Sequence, residues 1–269
     1  PPPPPPPPFF FQADDGIRDA QESRGRGDVY KRQPLIIAGA GPTGVELACK
    51  LSDLVNNRVE IYLVDKGNKI LSKSKSFNRE KAIDAIAERN IKIYLEHYIE
   101  SINENTIELS TVETERNNSL KINYSGLLWT AGLSPCRLQF IDHLLDENKK
   151  IKVNKFLQIK EYQNIFFVGD IVFCEDDPFP SSAQVAMQQG FLTAQNIISL
   201  RKGNKLKSFQ FEDLGEMLSL GIGNASITGY GVTLTGSLAF KIRHFAYLMR
   251  MPGFSLSLKS AGSRLLSKK

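Results

Sequence analysis

From Pro34 onward, short apolar runs alternate with segments whose apolar residues recur at helical spacing. Leu35 to Ala38 reads as a strand that runs into a Gly-rich turn. Thr43 to Leu54 follows as a helix, with Val45, Leu47, Ala48, Leu51 and Leu54 near 3.6 spacing. Arg58 to Asp65 is predicted as the second strand. Phe77 to Arg89 is predicted as a helix with Ala82, Ile83, Ile86 and Ala87 inward, and Ile91 to Leu95 as a short strand. Tyr98 to Ile102, Thr106 to Thr111 and Leu120 to Tyr124 carry strand signals separated by polar turns, which predicts a β-meander. Leu127 to Thr130 closes this set as a strand ending in Ala131-Gly132.

The pattern then changes. Ile165 to Val168 reads as a buried strand ending in Gly169-Asp170. Pro180 to Leu200 predicts a long helix, started by Pro180 and Ser181 and ended by Lys202-Gly203-Asn204-Lys205. Ser237 to Met251 predicts a further helix. At 100° per residue, Leu238, Ile242, Phe245 and Met249 share one face, and Arg243, His244, Tyr247 and Arg250 the other.

Gly39, Gly41 and Gly44 stand in G-x-G-x-x-G spacing between the first strand and the first helix. The first Gly permits a sharp turn, the second lets backbone approach a pyrophosphate, and the third lets helix and strand pack closely. Phosphates then meet the positive end of the helix. Asp65 ends the second strand about 20 residues beyond the last glycine, where a carboxylate accepts both hydroxyls of an adenosine ribose. The same Asp also suits a solvated strand-end turn.

Composition is ordinary for a globular chain: 269 residues, 41% hydrophobic, 23% charged, net charge +5. The distribution is more informative. Met217 to Lys269 contains no Asp or Glu, but seven Lys or Arg residues, which points to an anionic surface as partner. Cys49, Cys136 and Cys174 have no metal-ligand spacing, and His97, His143 and His244 do not cluster. No metal site is expected. No apolar run reaches the ~20 residues of a transmembrane helix. Residues 1–33 begin with eight prolines and continue without periodicity; they are similar to translated sequencing adapter and are expected to be a non-native, disordered leader.

GAGPTGVELA (39–48), LLWTAGLSP (127–135), FFVGDIV (166–172) and SSAQVAMQQG (181–190) occur in that order. Together they resemble the pyridine nucleotide-disulfide reductase superfamily, and within it the type II NADH:quinone oxidoreductases. FEDLGEMLSLGIGNASI (211–227) and GSLAFKIRHFAYLMRMPG (236–253) are similar to the cyanobacterial and plastid branch. The resemblance implies an α/β chain: a Rossmann-type NAD(P)H domain over 34–133, the C-terminal part of a second, FAD-binding Rossmann-type domain over 134–210, and a membrane-associating tail over 211–269. It also implies that the other part of the flavin domain lies upstream, and that this chain is an N-terminally truncated piece.

By that resemblance, Gly39, Gly41, Pro42, Thr43, Gly44, Asp65, Ala131 and Gly132 bind NAD(P)H, with Asp65 favouring NADH and the adjacent Lys66 tolerating NADPH. Gly169, Asp170, Ala183 and Gln184 serve FAD, with Asp170 on the ribityl chain. Glu46 lies near the nicotinamide–flavin contact, or is a plain helix-start Glu. Gln184 and Gln188 lie one helical turn apart and line a quinone pocket, or form the polar face of an amphipathic helix, while Gln189 reads as an ordinary surface residue. The implied partners are a quinone of plastoquinone, menaquinone or demethylphylloquinone type and an anionic membrane surface; a homodimer is compatible. The implied location is peripheral, on the cytoplasmic face of a bacterial thylakoid or plasma membrane. Two rivals stand beside this reading: another reductase of the same superfamily, and a nucleotide-binding redox sensor without catalysis.

Overall fold

The computed structural model describes residues 33–112, 119–132, 150–175, 177–250 and 253. Cys136, His143 and nearly all of the expected leader lie outside the described residues. The chain divides into two compact units, 1–131 with 217–226 and 234–269, and 132–216 with 227–233.

The first unit is built on a four-stranded parallel sheet. Its strands are β1 (Leu35–Ala38), β2 (Ile61–Val64), β3 (Ile91–Tyr94) and, after a meander, β7 (Gly126–Trp129), in the order β3-β2-β1-β7. Helices α1 (Pro42–Leu54) and α2 (Ser76–Ala87) connect the first three strands. The meander is the antiparallel sheet of β4 (His97–Ile102), β5 (Thr106–Thr111) and β6 (Leu120–Asn123).

The unbroken apolar run of β1 follows from burial on both faces. Ile37 packs in a cluster with Val45, Ala48, Cys49, Leu63, Ala82 and Ile86. Its neighbour Ile36 points the other way, into a cluster with Val64, Ile107, Leu109 and Ile122 of the meander. Both residues are fully buried.

Two inward assignments are corrected: Ile83 is 48% exposed and Ala87 is exposed. In α2 the buried side is instead Asn78, Ala82, Ala85 and Ile86. Leu54, the last residue of α1 and at helical spacing with its core positions, is 58% exposed.

The second unit contains β8 (Ile151–Lys152), β9 (Gln158–Ile159), β10 (Tyr162–Phe166), β11 (Val172–Phe173) and α3 (Ala183–Arg201). β8 pairs with β11 in parallel, and β9 with β10 antiparallel. The strand expected at Ile165 to Val168 forms earlier, and most of it is exposed. Phe167 and Val168 follow it and pack on a core of Ile151, Leu157, Ile159, Val172, Val185 and Phe209. The N-cap of α3 is Ser182, whose Oγ accepts the Val185 N–H at 3.2 Å.

Three strands went unread in the sequence: β12 (Glu216–Ser219), β13 (Ala225–Gly229) and β14 (Val232–Thr235), a sheet in that order. Helix α4 (Gly236–Met249) follows. Leu218 and Leu220 join the core of the first unit. Asp53 and Arg89 pin that return: Arg89 Nε and Nη2 reach the two Asp53 oxygens at 2.8 and 3.1 Å, Asp53 accepts the Ile222 N–H at 2.6 Å, and Arg89 donates to the Leu220 carbonyl at 3.1 Å. Burial pushes the Asp53 carboxyl up, but the Arg89 and Ile222 hydrogen bonds outweigh it and hold the group below the usual carboxylate range.

Candidate functional site

In the first unit the Gly-rich turn lies at the C-terminal ends of β1, β2 and β7, the edge where open parallel sheets bind ligands. Gly39 has φ +102°, and a Cβ there would stand 2.9 Å from Thr130 Oγ1. Gly44 admits no Cβ at all, since one would lie 1.8 Å from the Gly39 carbonyl oxygen. Gly41 is different: nothing lies within 4 Å of its Cβ position. Two glycines of the motif are therefore required by the protein's own packing, and the middle one faces open space.

Gly41 is also the N-cap of α1, with Pro42 and Thr43 exposed in the first turn. No side chain caps this helix end and its first turn contains no acid. The free N–H groups of the first turn and the helix dipole give a local positive end that suits an anion.

Asp65 stands beside the turn. Its Oδ2 accepts the Ala40 N–H and its Oδ1 the Gly67 N–H, both at 2.7 Å. The carboxylate is thus fixed in orientation, and each oxygen keeps a further lone-pair direction for a ligand hydroxyl. Lys66 beside it is exposed. Thr130 locks the turn from the other side, donating from Oγ1 to the Ala38 carbonyl at 2.7 Å. Ala131 ends the first unit and Gly132 begins the second.

Glu46 is not a free helix-start carboxylate. Its Oε1 accepts the Ser219 N–H at 2.8 Å and pairs with Arg243 Nη2 at 3.1 Å. Arg243, on the polar face of the last helix, faces Glu46 and stacks its guanidinium over Tyr247, 4.9 Å from the ring centroid. Ala239 is the buried residue of α4, while Leu238, Ile242, Phe245 and Met249 are 58%, 40%, 64% and 69% exposed. The helix turns its apolar side outward. Among the described residues no helix is long and apolar enough to cross a membrane.

In the second unit the candidate residues gather around α3. Ala183 opens the helix, and Gln184 and Gln188 do lie on one face. Both amides hold backbone: Gln184 bonds Leu214 N at 2.8 Å and Gly215 O at 3.0 Å, and Gln188 bonds both the N–H and the C=O of Glu212. Each retains one N–H and one lone pair for another partner. Asp170 is exposed at the tip of a turn that begins at Gly169. Gln189, read as a surface residue, is fully buried and accepts the Gly169 N–H at 2.7 Å. Its period with Val185, Thr193 and Asn196 was the available signal, masked because three of those four positions are polar. Cys49 is an inert core thiol: burial pushes it up to about 11.

The model of the pyridine nucleotide-disulphide oxidoreductase family matches residues 10–190. This chain belongs to that family. The match includes part of the stretch read as a leader. Among relatives of the family, the chain is 33% identical to demethylphylloquinone reductase NdbB of Synechocystis, over 81% of this chain and 54% of that protein. It is 28% identical to the alternative NAD(P)H-ubiquinone oxidoreductase C1 of Arabidopsis thaliana, over 80% and 45%, and 26% identical to the type II NADH:quinone oxidoreductase of Staphylococcus aureus, over 84% and 59%. The chain thus spans about half the length of these relatives. The fold matches the structure of NDH2 from Plasmodium falciparum in complex with NADH, with TM-score 0.77 at 15% identity, over 89% of this chain and 66% of that one. It also matches the sulfide:quinone oxidoreductase of Aquifex aeolicus, with TM-score 0.66 at 17% identity, over 87% and 61%.

Members of the family pair a nicotinamide nucleotide with FAD, and the residues here fit both groups. Open space at Gly41 beside an uncapped helix end suits a pyrophosphate. The exposed Asp170 and a buried, unpartnered Gln189 Nε2 suit a second polar ligand.

Proposed function

We propose that this chain is part of a type II NAD(P)H:quinone oxidoreductase, with NADH as the preferred donor. The observation that carries the reading is the Gly41 opening, set between an uncapped helix N-terminus and the fixed Asp65 carboxylate. In that role the Gly-rich turn holds the pyrophosphate through backbone N–H groups, and Asp65 accepts the ribose hydroxyls and repels a 2′-phosphate. Bound flavin supplies the hydride acceptor and the electron donor to quinone. Asp170 and the start of α3 hold the flavin. Gln184 and Gln188 offer their remaining N–H groups to a quinone carbonyl, uncharged donors that suit an apolar pocket.

Glu46 takes part through its carboxylate near the nicotinamide, with Arg243 and Ser219 fixing one oxygen. The outward apolar face of α4 supports docking on a membrane surface, with Lys241 and Arg250 exposed toward anionic lipid. Docking of this kind would bring the enzyme to a membrane quinone. The relatives named for quinone reduction support the reading.

The test is NADH oxidation by the chain extended to the length of its relatives, reconstituted with FAD, with and without a short-chain quinone. Quinone-dependent turnover is expected. NADH binding without turnover under any quinone would favour the sensor reading.

A further inference from the structure

Helix α3 carries a set of amide side chains that hold backbone. Gln184, Gln188 and Asn196 are each satisfied at both ends: each accepts a backbone N–H and donates to a backbone carbonyl. Gln189 breaks the rule. Its Oε1 accepts the Gly169 N–H at 2.7 Å, and its Nε2 is buried with no partner among the described residues. It is also the one fully buried glutamine of the set, at 0% exposure.

What Gln189 holds is specific. Gly169 has φ +83°, and its carbonyl accepts the Val172 N–H at 3.2 Å. The turn that presents Asp170 is therefore closed by its own backbone on one side and fixed by Gln189 on the other. Ala186, one turn earlier on the helix, lies under Gly169, 3.8 Å from its Cβ position. A buried amide donor is rarely left without an acceptor in a native state.

We propose that Gln189 is a positioning residue for the flavin. It sets the Gly169–Asp170 turn through the Gly169 N–H, and its Nε2 donates to an oxygen acceptor that arrives with the bound state. That acceptor is an oxygen of FAD or a backbone carbonyl of the polypeptide around it. The inference rests on the flavoprotein reading above.

The experiment uses the chain at its relatives' length, reconstituted with FAD, as wild type, Gln189→Leu and Gln189→Glu. Wild type that binds no FAD would overturn the flavoprotein reading and this inference with it. Given a wild-type holoprotein, Gln189→Leu is expected to bind FAD roughly tenfold more weakly, the effect of one lost hydrogen bond, and to shift the visible flavin band. Gln189→Glu keeps an acceptor for Gly169 and, while its buried carboxyl is protonated, a donor as well. Its FAD affinity is expected to approach wild type at acid pH and to fall as pH rises, a profile that a packing defect does not produce. Melting of apo and holo forms assigns the acceptor: a Gln189→Leu loss larger in the holo form than in the apo form names FAD, and an equal loss in both names the polypeptide. Should Gln189→Leu not fold, the pH profile of Gln189→Glu decides alone. Wild-type FAD affinity and spectrum in Gln189→Leu, or a flat profile in Gln189→Glu, would overturn the proposal.

Discussion

The Gly-rich turn of the first unit and the Gly169 turn of the second are fixed by opposite means. The first is fixed by missing side chains: Gly39 and Gly44 let backbone meet backbone, and one hydroxyl and one carboxylate finish the job. The second is fixed by an added side chain, Gln189, one of a row of amides on α3 that clamp backbone. A turn built on close approach fails when volume is added. A turn built on amide clamps fails when polarity is removed.

The largest effect is expected from adding volume at Gly44. Gly44→Ala drives a Cβ to 1.8 Å from a carbonyl oxygen, so strand and helix must separate. A loss of about 3 kcal/mol or more, together with NADH binding, is expected by thermal or urea melting and titration. Gly44→Ala that melts like wild type would break the comparison on its first side.

Next is the Asp53–Arg89 pair. Asp53→Ala leaves a largely buried guanidinium unpaired and frees the Ile222 N–H, with an expected cost of roughly 3 kcal/mol. The sign with pH follows from the lowered carboxyl. The stabilisation is complete above the unfolded value of about 3.9 and is lost as pH falls through the lower folded value. The melting-temperature gap between wild type and Asp53→Ala should therefore begin to close only as pH falls below about 4 and narrow further toward the lower folded value. A gap that persists in acid would remove the ion pair from the explanation.

Smaller again is the effect of removing polarity on α3. Asn196→Leu strips both partners from Lys207, with an expected cost of about 2 kcal/mol in chemical melting of the second unit. The Gly-rich turn should not register it, so NADH affinity should hold. A neutral Asn196→Leu would show that the clamps are incidental.

The same contrast explains what the sequence made legible. The apolar run of β1 and the close packing at Gly39 and Gly44 carry their geometry in residue type, and the structure shows both. The meander was legible for the same reason, through its alternation and turns. The α3 clamps were not, because a buried Gln and a surface Gln look alike until the partner is placed, and Gly169 lies 20 positions away. The partner of Arg243 was not legible for a related reason. A helical wheel separates apolar from charged faces but does not say which one the protein buries. Here Glu46, 197 positions earlier in the chain, draws Arg243 inward, while Arg250 stays exposed. Strands β12 to β14 are only four or five residues long and are separated by Gly-containing turns, so no single run stood out, although Val232-Thr233-Leu234-Thr235 does alternate.

The central claim is that Gly41 faces open space because a dinucleotide pyrophosphate occupies it. The direct measurement is NADH titration of Gly41→Val beside wild type, with melting temperature recorded for both. Room exists for the added side chain, so the melting temperature is expected to hold while NADH affinity falls by at least about tenfold, the equivalent of ~1.4 kcal/mol. Unchanged NADH affinity in a folded Gly41→Val protein would contradict the account.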